Sequence, residues 1–550
     1  MPLTLTPEQP PAGNSSGEST HGPGALNLLV ALLLLVYLAV GWNAREKLQF
    51  ESGDELTYLA LSRSLEAGSY REIYRASAPL HVQYPPGYPA WLGLVRHATS
   101  ERIDLIPAVN LALVALSFAI LFTAARRIAG SWLALAMLLA LVLSEAMLWA
   151  GGAYYSEALY VLLSTSALAA TLTSDHKRWR AAPLAIALAL LAFLTRSVGI
   201  AVVLAIGAWL WSRRKRPELF TYGVATTLVG GGWFGYTTFA RAGQLVRTYG
   251  GDFVSGHQRV QSSFASQLVH RVWQNARVYL TEVLPTALSQ PTIQGTRIDN
   301  VIWLLVNVVC LGAGLKVLWQ QWQAAAAYLV LYGGMLLLWP WPINRLFVPV
   351  IPLTLLALLL GAWSLARQLS RRRRVLALGT LVALLFFGAV RGAIARVAEL
   401  RPCDRAKPYA RSGCYPPEGQ SLIEASEYIR AHAADGDVVL AWRPTTVNFL
   451  SGHLTEPAQL VLQAPPGRVG ELLRERRIRF ALLTAVNPYF EAGAFAQALI
   501  GSCRQFRVEA RFLPHAILLE TAESDEATPN ACAALAEYRR DVPGDSRANR

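Results

Sequence analysis

Eleven stretches of this chain are apolar over 15 to 22 consecutive residues: 25–42, 105–125, 131–150, 158–173, 181–195, 197–212, 219–240, 299–317, 325–340, 346–366 and 375–391. A helix of about 20 apolar residues crosses about 30 Å of hydrocarbon, so most of these runs are long enough to span a bilayer. The 181–195 and 197–212 runs are short and are split only by Thr195-Arg196, which leaves a count of ten or twelve open. At 550 residues, with 53% apolar and 16% charged residues and a mean hydropathy of +0.32, the chain is too oily and too long for one soluble domain. The expected fold class is a polytopic α-helical membrane protein. Sixteen Trp and twenty Tyr agree, because amphipathic rings favour the two water–lipid boundaries.

The formal charge of +14 would suggest nucleic acid in a soluble protein. Here the basic residues sit in short loops. Arg126-Arg127, Lys177-Arg178-Arg180, Arg213 to Arg216, Lys316, and Arg367 with Arg371 to Arg374 occupy every second loop, as expected if those loops are cytoplasmic. No nucleic-acid partner is inferred. The first helix alone votes weakly the other way, since residues 1–24 carry no Lys or Arg while Arg45 and Lys47 follow it. Five loops outweigh one end. The Pro-, Gly- and Ser-rich leader 1–24 is then a disordered cytoplasmic segment without the basic start of a cleaved signal peptide. Segments 43–104, 241–298 and everything after about 392 fall outside.

The last 150 or so residues change character. "VVLAW", "FALLTA" and "AILLE" are short strand-like runs between helical patterns at 421–433, 467–477 and 489–500, so residues 395–550 read as a small α/β domain behind a membrane module at 25–394. Four of the five Cys lie there, an even number on the side of a membrane where disulfides persist. Cys403–Cys414 with Cys503–Cys532 is the favoured pairing of three.

No P-loop, H-E-x-x-H or paired C-x-x-C occurs, so the energy for any reaction arrives with the substrate or from an ion gradient. "GGGWFG", Gly230 to Gly235, has G-x-G-x-x-G spacing but lies inside an apolar run, and is expected to be helix packing by small residues.

Charge at the expected outer face is less easily explained. In "ESGDELTYLALSRSLEAG", Ser52 and Glu55 match a capping box for a helix ending near Glu66, whereas Asp54 has no such duty beyond the helix dipole. "HVQYPPGYPAW", His81 to Trp91, has too many prolines for a regular helix and enough aromatics for an interfacial floor beneath Asp54. Glu157 in "YYSEALY" begins the fourth span on the same side. Arg196 and Arg345 stand at outer helix ends, where snorkelling would explain them, but Arg is also the residue best shaped for bidentate contact with phosphate.

The order of these features resembles the GT-C class of glycosyltransferases, in the broad group with protein O-mannosyltransferases and the lipid A aminoarabinose transferase. The features are an acid in the first external loop, "YPPGYP", Ser-Glu at the second, "LTRS" at the fifth span and "NRLFVPVIP", over roughly residues 25–366. "EYIRAHAADGDVVLAWRPTTVNFLSGH" is similar to the extracytoplasmic domain of many bacterial members. The resemblance implies an enzyme of the bacterial inner membrane that takes a sugar from a polyprenyl-phosphate carrier and gives it to an acceptor outside. Asp54 and Glu157 would be its catalytic acids, Arg345 and Arg196 the donor-phosphate contacts, and Glu55, His81, Tyr84 and Tyr88 the lining of its cavity. Leu346 stands where the family has an aromatic, and Tyr84-Pro85 where the aminoarabinose branch has Lys-Pro. A divalent cation, Mg or Mn, bridging Asp54 and Glu157 is the one cofactor left open; two carboxylates make a thin shell.

Two other classes compete. A transporter or lipid flippase would place charge near the bilayer midplane, whereas here the spans are nearly free of charge. A receptor built on the C-terminal domain would leave Asp54 and Glu157 without a purpose.

Overall fold

The computed structural model describes residues 23–46, 53–173, 181–241, 264–291, 297–340, 342–400, 415–465, 467–485, 492–512, 515–522 and 530–541. Each apolar run is helical, from Pro23–Asn43 through to Arg371–Leu400. Among the described residues, five helical segments are long and apolar enough to cross a membrane: Gly24–Asn43, Ile103–Val142, Val301–Gln321, Asn344–Ala366 and Arg371–Leu400. Four apolar helices among the described residues are shorter: Glu157–Leu172, Ala181–Thr195, Ser197–Ser212 and Gln323–Leu338.

The Ile106–Val142 helix merges one whole predicted run with part of the next. At 1.5 Å per residue it would reach about 55 Å, well beyond one hydrocarbon thickness. Gly130 divides it, with φ 80° and ψ 167°, a conformation that costs any L side chain dearly. The second predicted run is itself cut before Glu145–Gly152.

Small residues set the closest helix contact. A Cβ on Gly314 would lie 1.8 Å from the Ala357 carbonyl oxygen, and one on Gly361 would lie 1.8 Å from that of Cys310. The Arg297–Gln321 and Ile351–Ala366 helices therefore meet backbone to backbone. The "GGGWFG" glycines were expected to do the same and do not. In the Arg216–Arg241 helix nothing among the described residues approaches a Cβ placed on Gly230, Gly231, Gly232 or Gly235. Phe220, Leu228, Phe234 and Phe239 on that helix are exposed, as lipid-facing side chains would be.

The C-terminal unit is α/β, as expected. β1 (Val438–Ala441), β2 (Leu454–Pro457), β3 (Ile478–Thr484), β4 (Phe506–Phe512) and β5 (Ala516–Thr521) form one sheet in the order β2-β1-β3-β5-β4. β1 runs parallel to β2 and β3, while β5 is antiparallel to β3 and β4. Both faces are covered, which is why β1 is buried along its whole length. Val438, Leu440, Ala481 and Leu519 face Leu473, Phe495 and Leu535. Val439, Phe480, Leu482 and Leu518 face Leu422, Ile429 and Val447, in a core that continues without a break to Leu56, Tyr58, Tyr84 and Tyr88 of the membrane module.

Cys503–Cys532 ties the Asn530–Asp541 helix to the approach to β4. Cys310 is buried and free, whereas the predicted Cys403–Cys414 pair lies outside the described residues.

A second join runs along the free edge of β2. The Thr455 amide donates to the Tyr74 carbonyl at 3.0 Å and the Ala76 amide to the Thr455 carbonyl at 3.1 Å. Beside them Arg75 pairs with Glu456 at 3.1 Å, and the Ser77 amide donates to the other Glu456 oxygen at 2.9 Å. The first loop thus extends the sheet, and its unpaired edge is partly closed.

Candidate active site

Asp54 opens the Asp54–Glu66 helix. The N-cap is Gly53, at φ 74°, with no side-chain cap, so Glu55 stands one position short of capping-box register; Ser52 lies outside the described residues. Leu56, Leu59 and Leu61 bury the helix against the core, and Asp54 is left at its rim.

Arg345 reaches Asp54 Oδ2 through Nη1 at 2.7 Å and Glu157 Oε1 through Nε. Its Nη2 lies 3.5 Å from Glu157 Oε2. Arg196 meets the same Glu157 from the other side, Nη1 to Oε1 at 2.6 Å, and also donates to Ser156 Oγ at 2.9 Å. The Tyr155 ring lies 3.8 Å beneath the Arg345 guanidinium, so "YYSE" supplies in three consecutive residues a π-face, a hydroxyl and an acid. The four charged residues predicted from sequence therefore form one cluster.

Exposure separates the two acids. Glu157 is sealed, at 0%, between two guanidiniums, whereas the Asp54 side chain is 29% exposed. An acid locked into two ion pairs makes a poor proton acceptor. Asp54 retains access.

The second half of the "HVQYPPGYPAW" stretch opens a helix, Gly87–Ala98, where none was expected, while residues 81–86 are non-helical. Pro86 caps it and Pro89 falls in its first turn, where a missing N–H costs nothing. Gly87 is required because a Cβ there would lie 2.6 Å from the Leu194 carbonyl oxygen. Just before this helix, Tyr84 donates its hydroxyl to Asp54 Oδ1 at 2.6 Å.

His81 does not face the cluster. Its Nε2 accepts the Tyr84 amide at 3.0 Å and its Nδ1 lies 3.0 Å from Glu72 Oε1. The Tyr70 hydroxyl holds the Tyr84 carbonyl at 2.8 Å, so Tyr84 is gripped at both ends of its backbone. Tyr88 is fully buried, donates to the Tyr154 carbonyl at 2.9 Å, and supports Tyr58, which packs between Tyr84 and Tyr88. Burial pushes the Tyr58 phenol above its usual range. Glu55 is buried beside Asp54.

Sequence reading missed Tyr58, Tyr155 and above all Arg443, which reaches the junction from the C-terminal unit. Burial pushes the Arg443 guanidinium below its usual value, while Asp54 and Glu55 pull it back.

The donor set does not suit a divalent cation. Arg345 stands between the two carboxylates, and no group of three His, Cys, Asp or Glu among the described residues converges on any point.

No protein-family model and no curated protein matches the sequence. Solved structures do. ArnT from Cupriavidus metallidurans in the apo state superposes with a TM-score of 0.55 at 16% identity, over 92% of this chain and 99% of that one. The two chains share a fold. ArnT bound to undecaprenyl phosphate gives 0.52 at 15% identity, over 90% and 98% of the two chains. The archaeal oligosaccharyltransferase AglB from Archaeoglobus fulgidus, with an inhibitory peptide and a dolichol-phosphate, gives 0.53 at 10% identity, over 92% of this chain and 75% of that one. This is the architecture that the GT-C resemblance implies.

Proposed function

We propose that this protein is a membrane glycosyltransferase that moves a sugar from a polyprenyl-phosphate donor to a hydroxyl on a lipid, glycan or protein at the outer face of a bacterial inner membrane. Residues 25–394 are its catalytic module, with about eleven spans and external loops 43–104 and 241–298; residues 395–550 are its extracytoplasmic domain. The observation that carries this reading is the Arg345 bridge between a sealed acid and an accessible one, within a fold shared with a protein solved with undecaprenyl phosphate bound.

In the reaction the acceptor oxygen forms a bond to the anomeric carbon as the bond from that carbon to the phosphate oxygen breaks. Asp54, steadied by Tyr84, takes the acceptor's proton. Arg345 and Arg196 hold the departing phosphate, and Glu157 keeps both guanidiniums aimed at it. The leaving group arrives activated and already dissolved in lipid, so no nucleotide site is needed. Arg345 supplies, between Asp54 and Glu157, the positive charge that a divalent cation would otherwise bring to the phosphate.

The purified protein, reconstituted in lipid nanodiscs with radiolabelled polyprenyl-phosphate sugars and membrane extract, is expected to move label into a lipid, glycan or protein fraction. Label that stays on the carrier with every sugar offered, or that crosses the bilayer without transfer, would sink the reading.

A further inference from the structure

The reaction gives Tyr84 a task and leaves two buried neighbours, His81 and Glu72, without one. An imidazole and a carboxylate are costly to hide unless they are bonded, and here both are. Pro85 and Pro86 follow Tyr84 and carry no N–H, so between Gln83 and Gly87 the Tyr84 amide is the single backbone donor. It goes to His81 Nε2 at 3.0 Å. A ring nitrogen that accepts holds no hydrogen, which puts the hydrogen of the imidazole on Nδ1, aimed at Glu72 Oε1 3.0 Å away. Glu72 thereby selects the form of the ring that can receive Tyr84.

Glu72 is fixed in turn. Its other oxygen takes Arg75 Nη1 at 2.9 Å, and Arg75 Nη2 reaches Glu456 of β2 at 3.1 Å. The ring is also held from its own backbone, since the His81 amide donates to the Tyr70 carbonyl at 2.8 Å, and the Tyr70 hydroxyl is the group on the Tyr84 carbonyl. From the C-terminal unit to the accessible acid runs an unbroken series, Glu456, Arg75, Glu72, His81, Tyr84 and Asp54, with no step longer than 3.1 Å. The last two steps use opposite ends of one residue. His81 sets the Tyr84 amide, and the Tyr84 hydroxyl sets Asp54.

We propose that His81 is a positioning residue: with its tautomer held by Glu72, it fixes the Tyr84 backbone and so the hydroxyl that orients Asp54. The consequence for catalysis rests on the transferase reading above; the grip on the Tyr84 amide does not, and it is read without transfer.

Two substitutions each keep half of the imidazole. In His81→Gln the amide oxygen stands near the place of Nε2 and can accept from Tyr84; in His81→Asn the amide nitrogen stands near the place of Nδ1 and can donate to Glu72, with nothing left for Tyr84. Full-length protein in nanodiscs is taken through deuterium exchange and digested to the peptide 82–86, whose sequence is the same in both variants and whose two prolines carry no N–H. Label on the first two residues of a peptide is lost in work-up, so this peptide reports the Tyr84 amide. Its exchange is expected to be about tenfold faster in His81→Asn and within about threefold of native in His81→Gln. In parallel, kcat should fall roughly 10–100-fold in His81→Asn with the donor KM within about twofold, and Gln should recover it. Tyr84→Phe, which keeps the amide and loses the hydroxyl, should also lower kcat, and adding His81→Asn to it should cost no more than about twofold further, because the two act in series. Native exchange in the Asn variant, exchange in the Gln variant as fast as in the Asn variant, or full additivity of the two losses in kcat would overturn the proposal. Should His81→Asn not fold, His81→Gln decides alone, since exchange within about threefold of native upholds the grip and a rise of about tenfold overturns it. The expected exchange pattern in a protein that transfers no sugar would uphold the grip and remove the transferase reading instead.

Discussion

Glu157→Gln separates what the buried acid does for stability from what it does for the donor. The substitution keeps the side chain's shape and removes one negative charge from a point with no solvent exposure, between Arg345 and Arg196. Arg345 keeps Asp54 as a charged partner, but Arg196 is left, among the described residues, with neutral acceptors, the Ser156 hydroxyl and the new amide oxygen. Breaking a buried ion pair by neutralising one partner costs about 3–5 kcal/mol, because the other charge stays buried. With an unfolding entropy of about 2.1 cal/mol/K per residue, that loss lowers the melting midpoint of a 550-residue chain by about 3–4 °C if it unfolds as one unit. Membrane proteins rarely unfold reversibly, so the comparison is made at one scan rate. A phosphate placed on Arg345 and Arg196 replaces the missing charge, so undecaprenyl phosphate should raise the midpoint of Glu157→Gln more than that of the native protein. At 100 times the variant's dissociation constant the lipid contributes about 2.7 kcal/mol, enough to recover most of the loss, and at that same lipid concentration the native protein, which already has Glu157 on both guanidiniums, should gain less. An unchanged midpoint, or the same lipid shift in both proteins, would refute Glu157 as the holder of the phosphate-binding guanidiniums.

Burial pushes the Glu72 carboxyl up, but its contacts to His81 and Arg75 more than offset this and hold it below the usual range. Its contribution is therefore complete above the unfolded value of about 4.3 and is lost as pH falls through the lower folded value; Glu72→Gln should flatten the fall in melting midpoint over that acid window, and an unaltered slope would contradict it. Gly361→Ala puts a methyl 1.8 Å from the Cys310 carbonyl, so the two helices must part; about 1–3 kcal/mol or more of stability should be lost, seen as aggregation on size exclusion. Replacing both Cys503 and Cys532 by Ser opens a 29-residue separation and should weaken the C-terminal unit by about 3–4 kcal/mol, read as faster trypsin cleavage there; an unchanged rate would refute the estimate.

The charged cluster was legible because ionisable residues stand out beside apolar runs. Asp54, Glu157, Arg196 and Arg345 each flank one, and every one of them enters the same network. Their individual duties were not legible, since the difference between the two acids is a difference of burial. Arg443 escaped for another reason. Thr57 and Thr445 touch across 388 residues of chain, and nothing local to "LAWRPTT" marks it as part of a site 389 positions earlier. β2 was missed because "LTEP" is too short to show a period, although "FRVEARF" in β4 alternates cleanly between apolar and charged residues and could have been found. The glycines of "GGGWFG" misled because spacing reports where a small residue stands and not whether a neighbour comes close; Gly314 and Gly361, in less conspicuous settings, make the contact.

Asp54→Asn, measured in nanodiscs for both transfer of label from a polyprenyl-phosphate sugar and binding of undecaprenyl phosphate, isolates the carboxylate from the rest of the cluster. Loss of the base is expected to cut transfer by about 10²–10⁴-fold while the lipid still binds. Transfer within about twofold of native in that variant would contradict the central claim that the accessible carboxylate beside Arg345 performs the chemistry.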